Sequence, residues 1–175
     1  RIEDGNPHAV ALRTHFAQHS FISYVAVYIG KGKAGLFDVG NELENVAFYG
    51  GDYGIYTTKA SPGWPVMMVD PNYCDKLFLE NSYFENVSGP AVVITNENNS
   101  NNQITFRNVY CKNVPTLAKY TRSNTATHVS HKIYKVKSYD HGLQMDDMVD
   151  MPEYETLVDI EPIQKMPVAQ LMDIP

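Results

Sequence analysis

Residues 77–86 have the sequence LFLENSYFEN, and residues 104–113 have the sequence ITFRNVYCKN. Each segment begins with two apolar residues separated by one residue, and after one more residue comes an Asn. Two residues further on, the pattern continues with an apolar residue, one intervening residue and a second Asn. This match lies in the spacing of apolar and Asn positions, so it is a structural repeat. Such a repeat indicates a stack of similar units, each too short to bury its apolar face alone.

Two further copies of the pattern precede these segments. One copy spans residues 43–50 and ends on Gly50, and a degenerate copy at residues 22–29 has Tyr24 in the first Asn position. The equivalent first positions are therefore Tyr24, Asn45, Asn81 and Asn108, at separations of 21, 36 and 27 residues. These lengths are typical of one solenoid coil. The longest separation predicts an insertion, which we place at the Pro-rich loop of residues 61–65.

A short segment with alternating apolar residues follows each copy. These segments are residues 35–39, 54–58, 90–95 and 116–120. Val, Ile, Tyr, Phe and Thr dominate them, and no helical spacing is sustained before residue 140, which predicts an all-β chain. Stacked units of two or three short strands predict a right-handed parallel β-helix, with residues 9–116 forming about four coils.

The repeat also predicts a core and a set of corners. Because Asn tolerates left-handed backbone and can bond to the amide one coil away, we expect an Asn ladder at Asn45, Asn81 and Asn108. The alternative is that these asparagines only mark turns. The residues expected inside the coils are Val27, Leu43, Phe48, Leu79, Phe84, Phe106 and Cys111.

Composition restricts the function classes. The 175 residues carry a net charge of −6, which argues against a nucleic-acid partner. No apolar run long enough for a membrane span is present, so no membrane partner is expected. The two cysteines, Cys74 and Cys111, have no partners at metal-ligand spacing, and we expect no cofactor or metal.

The chain divides into three parts. Residues 1–120 are predicted to form the β-helix coils, and residues 121–140 a strand pair or partial coil. Residues 141–175 are acidic and contain four prolines, which predicts an irregular linker to a second domain.

Several segments in order carry a resemblance to a known family. They are GNPHAVAL at residues 5–12, AQHS at 17–20, GLFD at 35–38 and YGGDYGI at 49–55. Together they resemble the N-terminal β-helix of glycoside hydrolase family 55 and its relatives in the pectate-lyase-like superfamily. The resemblance covers residues 1–116, while the Asn-rich run at residues 96–102 departs from it.

The resemblance implies a secreted or periplasmic protein made of two β-helices with a sugar cleft between them. Such enzymes cleave polysaccharides such as β-1,3-glucan, and their catalytic acid belongs to the second helix. No catalytic residue is therefore assigned in this chain, which would supply the scaffold and one wall of the cleft. The expected partners are a polysaccharide or oligosaccharide and a second β-helix domain. We expect the 175 residues alone to be catalytically inactive.

Candidate sugar-binding residues are Asp38, Asp52, Asp70, Tyr53 and Trp64. Glycoside hydrolysis uses paired carboxyl groups, and stacking of the coils could bring the three aspartates to one side. The alternative is that they are solvated turn carboxylates. Trp64 lies between two prolines, where its indole could stack on a sugar or pack on the coil exterior.

Two other functions stay open. A polysaccharide lyase would need a basic residue near a carboxylate cluster, for which Arg13 and Lys59 are conceivable. A binding or adhesion β-helix without catalysis would need neither. His15 and His19 are four residues apart but lack an evident third ligand for zinc.

The sole tryptophan provides a direct test of the sugar cleft. Titration with an oligosaccharide is expected to change the intensity or emission wavelength of Trp64 fluorescence, because a stacked sugar displaces water from the indole. Unchanged emission at millimolar ligand would count against Trp64 as a binding residue.

Overall fold

The computed structural model describes residues 1–13, 21–37, 41–57, 77–94, 104–144 and 153–167, and every regular element in these ranges is a β-strand. The all-β prediction is therefore confirmed. The strands are β1 (Val10–Arg13), β2 (Phe21–Ser23), β3 (Ala26–Gly30), β4 (Ala34–Phe37), β5 (Asn41–Glu44), β6 (Ala47–Gly50), β7 (Tyr53–Thr57), β8 (Leu77–Glu80), β9 (Tyr83–Glu85), β10 (Pro90–Ile94), β11 (Ile104–Lys112), β12 (Thr116–Tyr120), β13 (Thr125–His128), β14 (Ile133–Gln144) and β15 (Glu153–Pro162).

The strands form two sheets. Sheet A has the order β1-β4-β7-β10-β12-β13, and its first five strands are parallel. Sheet B has two parallel arms, β2-β5-β8 and β3-β6-β9, which both pair with the long strand β11. Each repeat thus contributes two consecutive short strands, or the single long strand β11, to sheet B and then one strand to sheet A, while neighbours within a sheet come from successive repeats. The predicted parallel stacking of repeats is confirmed.

The register matches the sequence repeat residue by residue. Leu43 lies beside Leu79, which lies beside Phe106, in one arm of sheet B. In the other arm Phe48, Phe84 and Cys111 are neighbours in the same way. All six side chains are 0% exposed, and Val27 is 6% exposed. The predicted core is therefore confirmed.

Two phenylalanines set the distance between the sheets. The rings of Phe48 and Phe84 stack with their centroids 5.0 Å apart. Opposite them in sheet A are Gly35 and Gly54, where an added Cβ would collide with the Phe48 and Phe84 rings, respectively. Large residues in sheet B thus face the smallest residue in sheet A, which allows close packing of the two layers.

A column of left-handed residues forms the first corner of each repeat. Tyr24, Asn45, Asn81 and Asn108 have φ angles of 56°, 51°, 48° and 52°. The Asn45 N–H donates to the Glu80 carbonyl (3.1 Å), and the Asn81 N–H donates to the Arg107 carbonyl (3.0 Å). The predicted equivalence and backbone conformation of these positions are confirmed.

The amide ladder lies at a different corner from the one predicted. No side-chain hydrogen bond joins the asparagines of the first column within the described ranges, and the Asn45 amide donates to Glu44 instead. A second left-handed column comprises Gly30, Gly50, Asn86 and Asn113. There the Asn113 Nδ2 donates to the Asn86 Oδ1 across 2.5 Å. The first corner is therefore tied by backbone groups and the second by backbone and amide groups.

The C-terminal strands leave the repeat pattern. Residues 121–140, predicted to form a strand pair or a partial coil, contain β13, which pairs with β12 in sheet A, and the first part of β14, which pairs with β11 in sheet B, both antiparallel. The stretch predicted to be irregular contains β15, which pairs antiparallel with β14. The prolines do not prevent this strand, since Pro162 lies at its last position and Pro152 precedes it. These returning strands also pair the edges of β11 and β12 that the repeat alone would leave open.

Buried tyrosines fill the end of the core beneath the returning strands. Tyr134 and Tyr139 are 0% exposed, and each hydroxyl has a partner. The Tyr134 hydroxyl donates to the Val114 carbonyl (2.8 Å), and the Tyr139 hydroxyl lies 2.5 Å from that of Tyr120. Because these hydroxyls are satisfied, their burial does not incur the cost of an unpaired polar group.

The stacked phenylalanines yield a stability prediction. Replacing Phe84 by Ala is expected to lower the free energy of unfolding by about 3–5 kcal/mol, because it leaves a cavity opposite Gly54. Chemical denaturation monitored by circular dichroism measures this loss. Tyr28, which is 51% exposed, is the matched control and should lose much less when replaced by Ala. Equal losses at the two positions would contradict the assigned core.

The corner geometry yields a second stability prediction. Replacing Asn81 by Ala should destabilise the protein by about 1–2 kcal/mol, because Ala has no side-chain amide to favour the left-handed conformation. Replacing Asn81 by Gly should cost less, since Gly adopts positive φ without strain. Denaturation midpoints of the two variants measure the difference. Equal midpoints would show that backbone conformation does not decide the residue at this corner.

Candidate functional site

The outer face of sheet A carries an in-register row of large side chains. Arg13, Phe37, Tyr56, Val93 and Lys119 are neighbours on successive parallel strands. Parallel pairing brings residues from five strands to spacings of about 4.8 Å, although Arg13 and Lys119 at the two ends of the row are more than a hundred positions apart in sequence. The repeat therefore builds a continuous outer surface as well as the core.

An open groove of about 460 Å³ lies on this face, toward the end covered by β13. This volume falls within the range of about 300–1,000 Å³ that is typical of small-ligand sites. Val93, which is 3% exposed, lies at its base. The lining residues are Tyr53, Tyr56, Pro90, Val93, Thr116, Lys119, Thr121, Asn124, Ala126 and His128.

Aromatic rings form one wall of the groove. Tyr53 and Tyr56 meet edge to face with their centroids 5.0 Å apart, and Phe37 stacks on Tyr56 at 5.7 Å. The Lys33 ammonium lies 4.9 Å from the Tyr53 ring, and the Arg13 guanidinium 5.7 Å from the Phe37 ring. These contacts hold the rings in fixed orientations, so the wall is organised before any ligand binds.

Polar groups line the opposite wall. Thr116 Oγ1 and His128 Nδ1 are 3.1 Å apart, within hydrogen-bond distance. Lys119 is half-buried and makes no ion pair with any described residue. No carboxylate is among the lining residues, although the chain as a whole is acidic. The groove is therefore a local region without negative charge, and it offers hydrogen-bond donors to a ligand.

The structure places two of the five candidate site residues. Tyr53 lines the groove, whereas Asp52 lies beside it at the corner between β6 and β7 and is not a lining residue. The Asp52 carboxylate is exposed, and it forms an ion pair with the Lys33 ammonium at 3.9 Å. Asp38, Trp64 and Asp70 lie outside the described residues, so their roles stay predictions.

Most of the groove lining carries no local signal in the sequence. Tyr56, Lys119 and His128 lie on different strands and belong to no local motif. One signal was available for two of them. Counted from Asn45 and Asn108, Tyr56 and Lys119 hold the same position of the repeat, but the same count from Asn81 reaches Val92, so only the observed strand pairing places both beside Val93.

The outer face of sheet B also carries tyrosines, but in a different arrangement. Tyr28 stacks on Tyr49 at 4.8 Å, and Tyr83 stacks on Tyr110 at 5.2 Å. Tyr28 is 51% exposed, but no concave site is described around these pairs, whereas Tyr53 and Tyr56 line a groove together with hydrogen-bonding groups. The groove on sheet A is therefore the stronger candidate.

Other candidate chemistry finds no support in the described residues. Burial raises the pKa of the Cys111 thiol to about 12, so the thiol is protonated at neutral pH and its predicted structural role is confirmed. No cluster of three or more metal-ligating side chains occurs in the described part of the chain, and His15 and His19 lie outside it. Across the same ranges there is no helix that could cross a membrane.

Comparisons of the chain with protein-family models, with characterised proteins and with solved structures gave no match.

Proposed function

We propose that this chain binds carbohydrate in the groove on the outer face of sheet A. The observation that carries the proposal is the pairing of an aromatic wall, Tyr53 and Tyr56, with a wall of hydrogen-bonding groups. Sugars have apolar faces of C–H groups and a rim of hydroxyls, so they match such a groove. A site with only apolar residues or only charged residues would fit them less well.

The polar wall supplies the groups that would orient a sugar. Lys119 is a donor, Thr116 and Thr121 can donate and accept, and Asn124 offers both an acceptor and two donors. Thr116 and Lys119 lie on β12, and Thr121 and Asn124 lie in the turn after it, whereas Tyr53 and Tyr56 lie on β7. The groove therefore crosses neighbouring strands, and a ligand of several sugar units lying across them would contact both walls.

We further propose that the repeats are coils of a right-handed parallel β-helix, as the sequence predicts. The alternation of strands between sheets A and B and the left-handed corner columns support this architecture. In that arrangement the chain is one half of a glycoside hydrolase acting on a polysaccharide such as β-1,3-glucan. It contributes scaffold and one cleft wall, while a second β-helix supplies the catalytic acid.

One observation favours a second function. Lys119 lies in the groove without an ion pair to a described residue, and the lining lacks carboxylates. A carboxylate-bearing polysaccharide would provide the missing partner for this lysine, which is the substrate class of the polysaccharide-lyase alternative. A neutral glucan would use Lys119 only as a hydrogen-bond donor. A binding protein without catalysis would use the same groove.

Binding to the groove can be measured by nuclear magnetic resonance, with β-1,3-gluco-oligosaccharides and oligogalacturonates as separate ligands. We expect at least one ligand to shift resonances of β7, β10 and β12. Replacing Tyr53 or Tyr56 by Ala should weaken binding by about two- to tenfold, because each aromatic contact contributes about 0.5–1.5 kcal/mol. Replacing Lys119 by Gln should weaken binding of the acidic oligogalacturonates much more than binding of the neutral gluco-oligosaccharides.

Tyr28→Ala is the matched control, since it removes the same type of ring from the outer face of sheet B. It should leave the affinity unchanged. The proposal is wrong if neither ligand shifts the groove resonances, or if Tyr28→Ala weakens binding as much as the changes at Tyr53 and Tyr56.

A further inference from the structure

Strand β15 forms an edge of sheet B. Within the described ranges it pairs only with β14, and much of it is exposed. Leu157 is 53% and Val158 42% exposed, so two neighbouring apolar side chains on opposite faces of the strand are both accessible. An edge strand of this length offers backbone donors and acceptors as well as apolar surface to another strand.

The register with β14 assigns a face to each side chain of β15. Val158 lies opposite Tyr139 and Ile160 opposite Val136, and both partners are buried in the core. Thr156 lies opposite the buried His141, with Oγ1 and Nδ1 2.8 Å apart. One face of β15 therefore continues the inner, apolar face of the sheet.

The other face is acidic. Glu155, Leu157, Asp159 and Glu161 alternate with the inward residues and face outward. Three of these four side chains carry a negative charge, and β15 contains no Lys or Arg. Two lysines of β14 lie nearby: Lys135 is directly opposite Glu161 in the register, and the Lys137 ammonium lies 3.0 Å from Glu161 and 3.8 Å from Asp159.

This pattern excludes a second copy of β15 as the neighbour. Residues that lie opposite one another in a sheet share a face, so pairing of two β15 strands would set the acidic face of one beside that of the other. Like charges directly opposite destabilise a sheet. A strand with basic residues at alternate positions would instead meet opposite charges on the outer face and apolar residues on the inner face.

We propose that the edge of β15 binds a protein strand in which Lys or Arg alternates with β-branched apolar residues. The bound strand extends sheet B by main-chain hydrogen bonds. Its basic side chains pair with Glu155, Asp159 and Glu161, and its apolar side chains pack beside Val158 and Ile160. Val158 on the inner face and Leu157 among the outer carboxylates supply exposed apolar contact area, and the charges select the partner.

The test uses the full chain and a blocked ten-residue peptide in which lysine and valine alternate. Isothermal titration calorimetry should detect binding that weakens as salt is raised, and hydrogen exchange should slow at the amides of β15. Replacing Asp159 by Asn and Glu161 by Gln together should weaken binding at least fivefold. Replacing Lys137 by Gln should strengthen it at least twofold, because it frees the same two carboxylates.

Three controls separate strand addition from general charge attraction. A scrambled peptide of the same composition lacks the alternation, and an N-methylated version cannot form the main-chain hydrogen bonds. Both should bind at least tenfold more weakly than the alternating peptide. The proposal is overturned if the scrambled peptide binds equally well, if β15 amides gain no protection, or if Lys137→Gln weakens binding. Circular dichroism verifies that each variant is folded.

Discussion

The left-handed backbone at the two corner columns is the constraint on which this fold depends. At Tyr24, Asn45, Asn81 and Asn108 the chain turns with positive φ, and it turns again at Gly30, Gly50, Asn86 and Asn113. Gly50, Asn86 and Asn113 each follow the first-corner residue of their repeat, Asn45, Asn81 and Asn108, by the same number of residues, so the strands between the two corners reach the same register in successive repeats. That register places Phe48 on Phe84 and keeps polar residues outside. Without the turns, the apolar positions of successive repeats would not coincide.

This constraint restricts the inner and corner positions but leaves the outer face of each strand free to carry function. On sheet A the outer positions hold aromatic and polar residues that together form a groove, while on sheet B they hold stacked tyrosines. The groove is thus a product of stacking: β7, β10, β12 and β13 contribute two lining residues each, the turn after β12 contributes two more, and no single repeat contains the site. The groove lining contains Lys119 and no carboxylate, although the chain as a whole has a net charge of −6. The charge of a ligand should therefore affect its affinity for the groove.

The end of the repeat array is covered by strands that leave the repeat pattern. β13 and β14 run antiparallel to the strands they join, and the tyrosines beneath them place satisfied hydroxyls in the core. Within the described ranges β15 is the edge of sheet B at this end, and acidic and apolar residues alternate along it. Its acidic outer face disfavours pairing with a second β15 and fits the proposed basic strand.

The sequence alone determined the periodicity, the core residues and the left-handed first corner, because each of these depends on local residue types that recur in phase. Phe84 and Cys111 could be assigned to one column from spacing alone. The sequence did not determine which asparagines form the amide ladder, since the side chains of Asn45 and Asn86 are equally able to form one. The hydrogen bonds that form depend on how the side chains at the same corner of successive repeats are placed. Nor did the sequence reveal β15, because prolines at the borders of a strand resemble those of a linker. Only the tertiary structure decided the groove: Tyr56, Lys119 and His128 meet through strand pairing, and His128 arrives on an antiparallel strand that the repeat does not predict. Local patterns fix which way a side chain points, whereas long-range register fixes which side chains become neighbours.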